Sequence, residues 1–299
     1  MKLFKKRYTP AHPSSSTLYD GSRLSLHRIV GRPYEEVLAD VQLRCSSQYL
    51  GDKKALCWVL GRYMMFVDTT DVGFATHVLM RGAWEMWLTD YMIRTIQHGW
   101  IVLDVGANFG YYSLLLSDLV GHSGQCIAFE PNPEVAPILR STLAVNGFSD
   151  RCEVREVALS DSAGESFFYQ PKGEPKNARL VDQIDQQAVD HDWGTFTKVP
   201  VSPLDIEYRG RVDFIKIDAE GAEDAIIRGM INVMRAHKPR LLIEYNVVRM
   251  ADPRTPLEIL IDIYGRLRHL DVDGKVYDLD VQRVLIENRG SDWLLVLEP

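Results

Sequence analysis

The stretch Trp100-Ile101-Val102-Leu103-Asp104-Val105-Gly106-Ala107-Asn108-Phe109-Gly110-Tyr111-Tyr112-Ser113 decides the fold. Its first six residues read as a buried strand, Gly106 and Gly110 permit a tight turn, and Tyr111 to Val120 has the spacing of a helix. Beyond it, short apolar runs alternate with helical patterns, the sequence sign of βαβ units and a parallel sheet. Residues 125–130 are the next strand, and Pro133-Glu134 opens a helix that ends near Asn146-Gly147. Strand-like runs recur at 152–159, 212–218 and 240–245, with a helix expected over 222–235 and another over 256–269. Asp273-Gly274 marks a turn and 292–297 reads as a strand, consistent with an antiparallel hairpin at the sheet edge. The expected fold class is α/β, an open, doubly wound, mainly parallel sheet.

The two ends differ from this middle. Residues 1–75 read as a small N-terminal cap, a helix over 34–47 followed by a hairpin of 55–60 and 63–67 turning at Gly61-Arg62. Residues 76–299 form the main domain, interrupted at 171–198 by an insertion rich in Pro, Gly, Asn, Asp and Gln that lacks a strong period and reads as a long loop over the sheet. No internal repeat is present.

Composition narrows the function. With 299 residues, 46% hydrophobic and 25% charged, the chain has ample core material and is neither disordered nor fibrous. Its 34 Lys+Arg against 41 Asp+Glu give a formal charge of −7, which argues against a nucleic-acid partner. Cys45, Cys57, Cys126 and Cys152 lack metal-ligand spacing and read as reduced, structural thiols, which suits a cytoplasmic protein. The basic start MKLFKKRYTP runs on without an apolar core, so it does not read as a secretory signal. No stretch approaches the ~18 apolar residues of a membrane span, so no integral membrane segment is expected.

In such a sheet the ligand lies beyond the carboxyl ends of the strands. Glu130, 20 residues after Gly110, stands where an acid accepts hydrogen bonds from ribose hydroxyls. A dinucleotide fingerprint needs GxGxxG, but here Asn108 replaces the middle glycine and Tyr111 follows three residues later, so a pyrophosphate would fit poorly. An acidic Asp104 suits a cation better, such as the sulfonium and amino groups of S-adenosylmethionine (SAM). The turn favours SAM over NAD.

The runs DVGANFGYYS (104–113), FEPNP (129–133) with Asn146 downstream, VSPLD (201–205), DFIKIDAEGAEDAIIRGM (213–230) and PRLLIEYN (239–246) resemble, in order, the FkbM family of SAM-dependent methyltransferases. The resemblance covers roughly 73–299, and Gly82-Ala83-Trp84-Glu85 is similar to the family's Gly-x-x-Glu element. It implies a Rossmann-like class I methyltransferase sheet. It also implies SAM held by Glu85, Asp104, Gly106, Asn108, Gly110, Tyr112, Ser113, Glu130, Asn132, Ala158 and Asp218. The activity implied is methyl transfer to a hydroxyl of a sugar, glycoconjugate or secondary metabolite, so the expected partner is a small-molecule or glycan acceptor. Rival readings are carboxylate or N-methylation, an NAD-dependent oxidoreductase, and a non-catalytic nucleoside-binding protein.

Catalytic groups are sought in 216–246. Lys216 and Asp218 point to the same side of their strand, and a buried Lys216 requires a partner among Asp218, Glu220 and Glu244. Asp218 or Glu244 is the expected base, with Lys216 beside them. Asp218, Glu244 and Asn246 converge from neighbouring strand ends as oxygen ligands that suit Mg²⁺ or Ca²⁺. His77 and His191 are further candidate bases, and Tyr112, Trp193 and Tyr245 candidate walls of the acceptor pocket. Residues 1–72 and 171–198 are expected to choose the acceptor.

Overall fold

The structure is a computed structural model that describes residues 22–172, 178–181, 183–250, 252–287 and 292–299. Its first layer is helix α1 (Tyr34–Gln42) and an antiparallel sheet of β1 (Ser47–Gly51), β2 (Lys54–Val59) and β3 (Tyr63–Asp68), followed by α2 (Phe74–Arg81) and α3 (Met86–Thr95). The main sheet begins with β4 (Ile101–Val105), α4 (Tyr111–Val120), β5 (Gln125–Phe129), α5 (Ala136–Val145) and β6 (Cys152–Arg155). A second sheet is then made by β7 (Ala158–Leu159), β8 (Gly164–Pro171), β9 (Arg179–Val181), the short α6 (Gln186–Asp190) and β10 (Gly194–Ser202). After α7 (Leu204–Glu207) the chain returns through β11 (Phe214–Ile217), α8 (Glu223–Arg228), α9 (Ile231–His237) and β12 (Arg240–Tyr245). It ends with α10 (Arg254–Tyr264), β13 (Leu267–Leu270), β14 (Val276–Leu279), α11 (Val281–Ile286) and β15 (Trp293–Leu297).

The main sheet has the order β14-β13-β15-β12-β11-β4-β5-β6. Strands β12, β11, β4, β5 and β6 are parallel, while β15 runs antiparallel between β12 and β13. Apart from Asp104 and Lys216, its central strands β4, β5 and β11 are almost wholly apolar because both faces are covered. Val102, Phe214 and Leu242 join α4, α5 and the N-terminal sheet in one core. Leu103, Ile215, Ile217 and Ile243 join α8, α9 and α10 in the other. Successive residues of one strand therefore serve opposite cores.

The N-terminal sheet is docked by more than apolar contact. The Asn146 side chain, just past α5, accepts from Met64 N at 3.0 Å and donates to Met64 O at 2.6 Å, while Thr142 Oγ1 accepts from Phe66 N at 3.1 Å. Two side chains thus satisfy the backbone along the free edge of β3, which would otherwise be left unpaired against a helix.

Several elements differ from their sequence expectation. Of the expected insertion 171–198, residues 173–177 and 182 lie outside the described residues; its described part contains β9, α6 and the start of β10, and β8, which ends at its first residue, pairs with both β9 and β10. The helix expected over 222–235 is broken at Gly229, where a Cβ would lie 1.9 Å from Ser160 O. The helix expected to reach 269 stops at Tyr264 because Gly265 turns left-handed at φ +83°, and Leu267 then starts β13. The edge hairpin is β13–β14, and β15 lies inside the sheet. The helix after β5 begins at Ala136 rather than Pro133.

Asn146→Ala should leave Met64 N and Met64 O unpaired beneath α5 and lower unfolding stability by about 1–3 kcal/mol. Urea unfolding followed by far-UV circular dichroism measures this, and a loss under about 0.5 kcal/mol would mean that apolar contact alone docks the layer.

Candidate active site

The glycine turn leaves β4 under tight constraint. A Cβ on Gly106 would lie 1.9 Å from Asp218 O, so the turn and the segment after β11 touch backbone to backbone. Gly106 N and Ala107 N both donate to Phe129 O at 3.1 Å, and Asn108, left-handed at φ 50°, donates its N–H to Glu130 Oε2 at 2.8 Å. Asn132 N donates to Glu130 Oε1 at 2.9 Å. Two amides thus fix the carboxylate, and each oxygen keeps a second lone pair for a hydroxyl donor. Burial outweighs both amides and pushes Glu130 up to about 7.

Lys216 is the hub of the site. Its side chain is 4% exposed, and Nζ lies 3.5 Å from Asp104 Oδ1, 3.3 Å from Asp218 Oδ2, 3.4 Å from Gly106 O and 5.0 Å from the centre of the Tyr112 ring. Burial alone would lower its pKa, but Asp218 and Asp104 together raise it, so the group stays an ammonium and cannot act as a base. Asp104 is fully buried and receives Ser113 Oγ at 2.6 Å. It is the counter-ion of Lys216 and does not line the cavity, so the expectation that it faces a ligand cation is corrected. Ser113 and Gly110 do not line it either, since Ser113 serves Asp104 and a Cβ on Gly110 would meet Leu139 Cδ1 at 2.5 Å.

A second charged group lies beyond Lys216. Asp218, Glu220 and Glu244 bring carboxylate oxygens within 4.8 Å of one another. Arg249 reaches Glu220 at 2.7 Å, Glu244 at 3.5 Å and Asp292 at 3.5 Å. Burial, with Asp218, Asp292 and Glu220 close by, pushes Glu244 far above the carboxylate range, so its protonated form is a hydrogen-bond donor near neutral pH. Burial and Asp218 raise Glu220 to about 7 despite Arg249. Glu85 sits left-handed at φ 37° and accepts the Tyr112 hydroxyl at 2.6 Å. Glu223 accepts from Ala219 N at 2.9 Å and Gly221 N at 3.0 Å, which ties down the segment that carries Asp218 and Glu220.

The expected metal set does not assemble. Asn246 donates to Asp292 at 2.8 Å and accepts from Val248 N, and the oxygens that gather with Asp218 and Glu244 come from Glu220 instead. Among the carboxylates that do gather, Arg249 already supplies the positive charge that a divalent ion would bring.

These groups line one cavity of about 260 Å³. Of the expected site residues it contains Glu85, Gly106, Asn108, Tyr112, Glu130, Asn132, Ala158, Lys216, Asp218 and Glu244. His77 is exposed, edge-on to Trp84, and His191 stacks on the exposed Trp193 with ring centres 5.0 Å apart; none of the three lines the cavity. Tyr245 is core, donating to Pro253 O at 2.6 Å. Sequence reasoning missed Phe74, Phe168, Leu180, Arg249 and Asp292, all of which line the cavity. Only pairing across distant segments reveals them.

A glycine turn after β4, a buried acid after β5 and a charged loop after β11, on a sheet whose antiparallel strand lies inside, define a class I methyltransferase fold. A family model for the methyltransferase FkbM domain matches residues 104–263, over half of the chain, and the chain belongs to this family of methyltransferases. "Methyltransferase sdnD" of Sordaria araneosa is 28% identical over 166 residues, 47% of this chain and 64% of that protein. Among solved structures, methyltransferase FkbM from Methylobacillus flagellatus KT is 18% identical with a TM-score of 0.42, covering 68% of this chain and 43% of that one. An O-methyltransferase from Bacillus cereus in complex with SAH is 18% identical with a TM-score of 0.36, covering 71% and 78%. The chain thus matches less than two thirds of the length of the curated relative and less than half of the FkbM structure. Among the described residues, no helix is long and apolar enough to cross a membrane.

The raised acids set a pH dependence. Glu130, Glu220 and Glu223 move from 4.5 to about 7 on folding, so the native state binds more protons than the unfolded chain between those values. Their contribution to stability is fully present below about 4.5 and is lost as pH rises to about 7. Glu130→Gln, which mimics the protonated acid, should abolish its share of the loss on raising the pH, on the order of 3 kcal/mol, and flatten ligand-free stability between pH 5 and 7 by about one proton. Urea titrations across that range check it, and an unchanged slope would place the proton uptake elsewhere.

Proposed function

We propose that the protein is a SAM-dependent methyltransferase that moves a methyl group to a hydroxyl of a small molecule or glycan. The observation that carries this reading is that Asp218, clamped by Lys216 and open to the cavity, shares that cavity with the glycine turn and Glu130. The residues fit the nucleoside: Glu130 has lone pairs left for two ribose hydroxyls, and apolar walls lie beside it. When bound, SAM supplies an electrophilic sulfonium methyl. The protein must hold the acceptor oxygen in line with it and take the hydroxyl proton.

Asp218 Oδ is the assigned proton acceptor, because Lys216 cannot accept one and Glu244 is held protonated by its surroundings. Lys216 orients Asp218 from behind. Glu244, as a donor, and Glu85, fixed by Tyr112, are placed to hold acceptor hydroxyls. Carboxylate or amine acceptors would need little help from a base, so the clamped carboxylate favours an alcohol.

Sugars, nucleotide sugars and glycolipids incubated with the protein and methyl-labelled SAM should yield one species heavier by a single methyl group in mass spectrometry. S-adenosylhomocysteine at 100 times its Kd should stabilise the fold by about 2.7 kcal/mol, and NAD should not. Asp218→Asn should lower kcat by ~10²-fold with Kd for S-adenosylhomocysteine changed less than about threefold. Full turnover by that variant would remove Asp218 from the chemical step, and binding of NAD alone would overturn the cofactor assignment.

A further inference from the structure

The N-terminal sheet departs from the pattern its exposure calls for. An antiparallel sheet covered on one side carries polar residues on the other. Here Ala55, Cys57 and Val59 of β2 and Tyr63, Met65 and Val67 of β3 are buried in one core with α1, α2 and α5. The residues between them, which point the opposite way, are apolar too: Leu56 and Trp58 on β2, Met64 and Phe66 on β3. They lie side by side across the strands, Leu56 beside Phe66 and Trp58 beside Met64, and form one block. All four are half-buried, and among the described residues none packs against the cores of the protein. Near them, at the tip of the β1–β2 hairpin, Tyr49 is 60% and Leu50 53% exposed.

The rim of this face is basic. Arg23 holds its guanidinium over the Trp58 ring at 6.0 Å, and Lys53 and Lys54 are exposed at the hairpin tip, where Asp52 and Lys53 turn left-handed at φ 46° and 62°. Among the described residues none of these three cations takes part in an ion pair. Asp68, opposite Lys54, accepts from Thr70 N and Thr70 Oγ1 instead, each at 2.7 Å. The same bias runs through the sequence: residues 1–68 carry 11 Lys+Arg and 6 Asp+Glu, whereas residues 69–299 carry 23 and 35. A chain that is acidic as a whole thus has one basic layer, and that layer bears the uncovered apolar face.

A second copy docked here about a two-fold axis would bring Arg23, Lys53 and Lys54 against their own counterparts. A nucleic-acid backbone would satisfy the cations and leave Leu56 and Met64 without partners. An anionic lipid surface answers both needs, since aromatic and aliphatic side chains enter the boundary below the headgroups while the cations meet the headgroups themselves. We propose that the outer face of the N-terminal sheet is a docking surface for an anionic membrane, with Trp58, Phe66 and Leu50 at the lipid boundary and Arg23, Lys53 and Lys54 on the headgroups. The inner face packs on α2, which supplies Phe74 to the cavity, so the sheet links the lipid to the cavity wall. The proposal does not depend on the reaction read from the cavity.

Co-sedimentation of the full chain with vesicles of mixed phosphatidylserine and phosphatidylcholine, against phosphatidylcholine alone, tests it. Partition onto the anionic vesicles should be at least about tenfold stronger, and should weaken between about 0.1 M and about 0.5 M salt. Arg23→Gln, Lys53→Gln and Lys54→Gln together should lower it by about 10²-fold. Leu50→Ser, at an exposed position, should lower it by about tenfold, and Trp58→Ser by at least as much. If Trp58→Ser lowers the melting temperature, Leu50→Ser and the charge variant carry the decision. Equal partition onto both vesicles, no partition onto either, or wild-type partition by the variants would overturn the proposal. A dimer in analytical ultracentrifugation that Leu50→Ser or Trp58→Ser dissolves would give the face to a second copy, and tighter binding of a single-stranded oligonucleotide than of anionic vesicles would give it to nucleic acid; either result overturns the lipid assignment.

Discussion

An almost fully buried ammonium group sits at the centre of this molecule, and the site is arranged around the need to compensate it. Lys216 lies on a four-residue strand that is buried throughout, and the strand to its side places Asp104 directly opposite in register. Desolvating a charge costs several kcal/mol, so the position is tenable only because Asp104, Asp218, Gly106 O and the Tyr112 ring surround it. Removing either carboxylate would leave the ammonium with half its compensation. The pairing thus imposes a fixed spacing between the end of β4 and the end of β11.

That spacing explains the glycine. Asp218 can approach Lys216 only if the chain after β11 passes over the turn after β4, and there Asp218 O takes the volume of a Gly106 side chain. The same turn aims Asn108 N at Glu130, so the nucleoside end and the chemical end are linked through a few backbone contacts. Beyond them the carboxylates outnumber the cations. Among the described residues that line the cavity, Glu85, Asp218, Glu220, Glu244 and Asp292 face the two cations Lys216 and Arg249, so burial and mutual repulsion raise Glu220 to about 7 and Glu244 further.

The elements that could be read from the sequence are those whose signal is local. The turn that starts at Gly106, Glu130 at 20 residues beyond Gly110, and the Lys216–Asp218 strand end are each announced by residue type and short spacing, and the structure brings them into one cavity. Faces were harder to assign. Because β4 is buried on both sides, its apolar pattern does not tell which face Asp104 takes, and the residue turns to the core rather than to the ligand. The second sheet escaped notice because β8 and β10 carry Gly, Pro and Lys and bury few residues, which blurs any alternation. Arg249 and Asp292 belong to segments far apart in sequence whose meeting depends on β15 entering the sheet beside β12.

The place of β15 has a consequence for how the molecule is assembled. It lies later in the chain than both of its neighbours, yet it is the strand that joins them: β12 and β13 share no ladder except through it. While the polypeptide emerges from its N-terminal side, the parallel strands can form with an open edge on β12, and the β13–β14 hairpin has no ladder to them. That open edge is a row of unpaired backbone groups beside an apolar face, a template for another strand. The step that closes it also delivers Asp292 to Arg249, so completion of the sheet and completion of the charged end are one event. A nascent chain halted before β15 would therefore be sticky and incompetent at the same time, and its quality control would be decided by a single late strand.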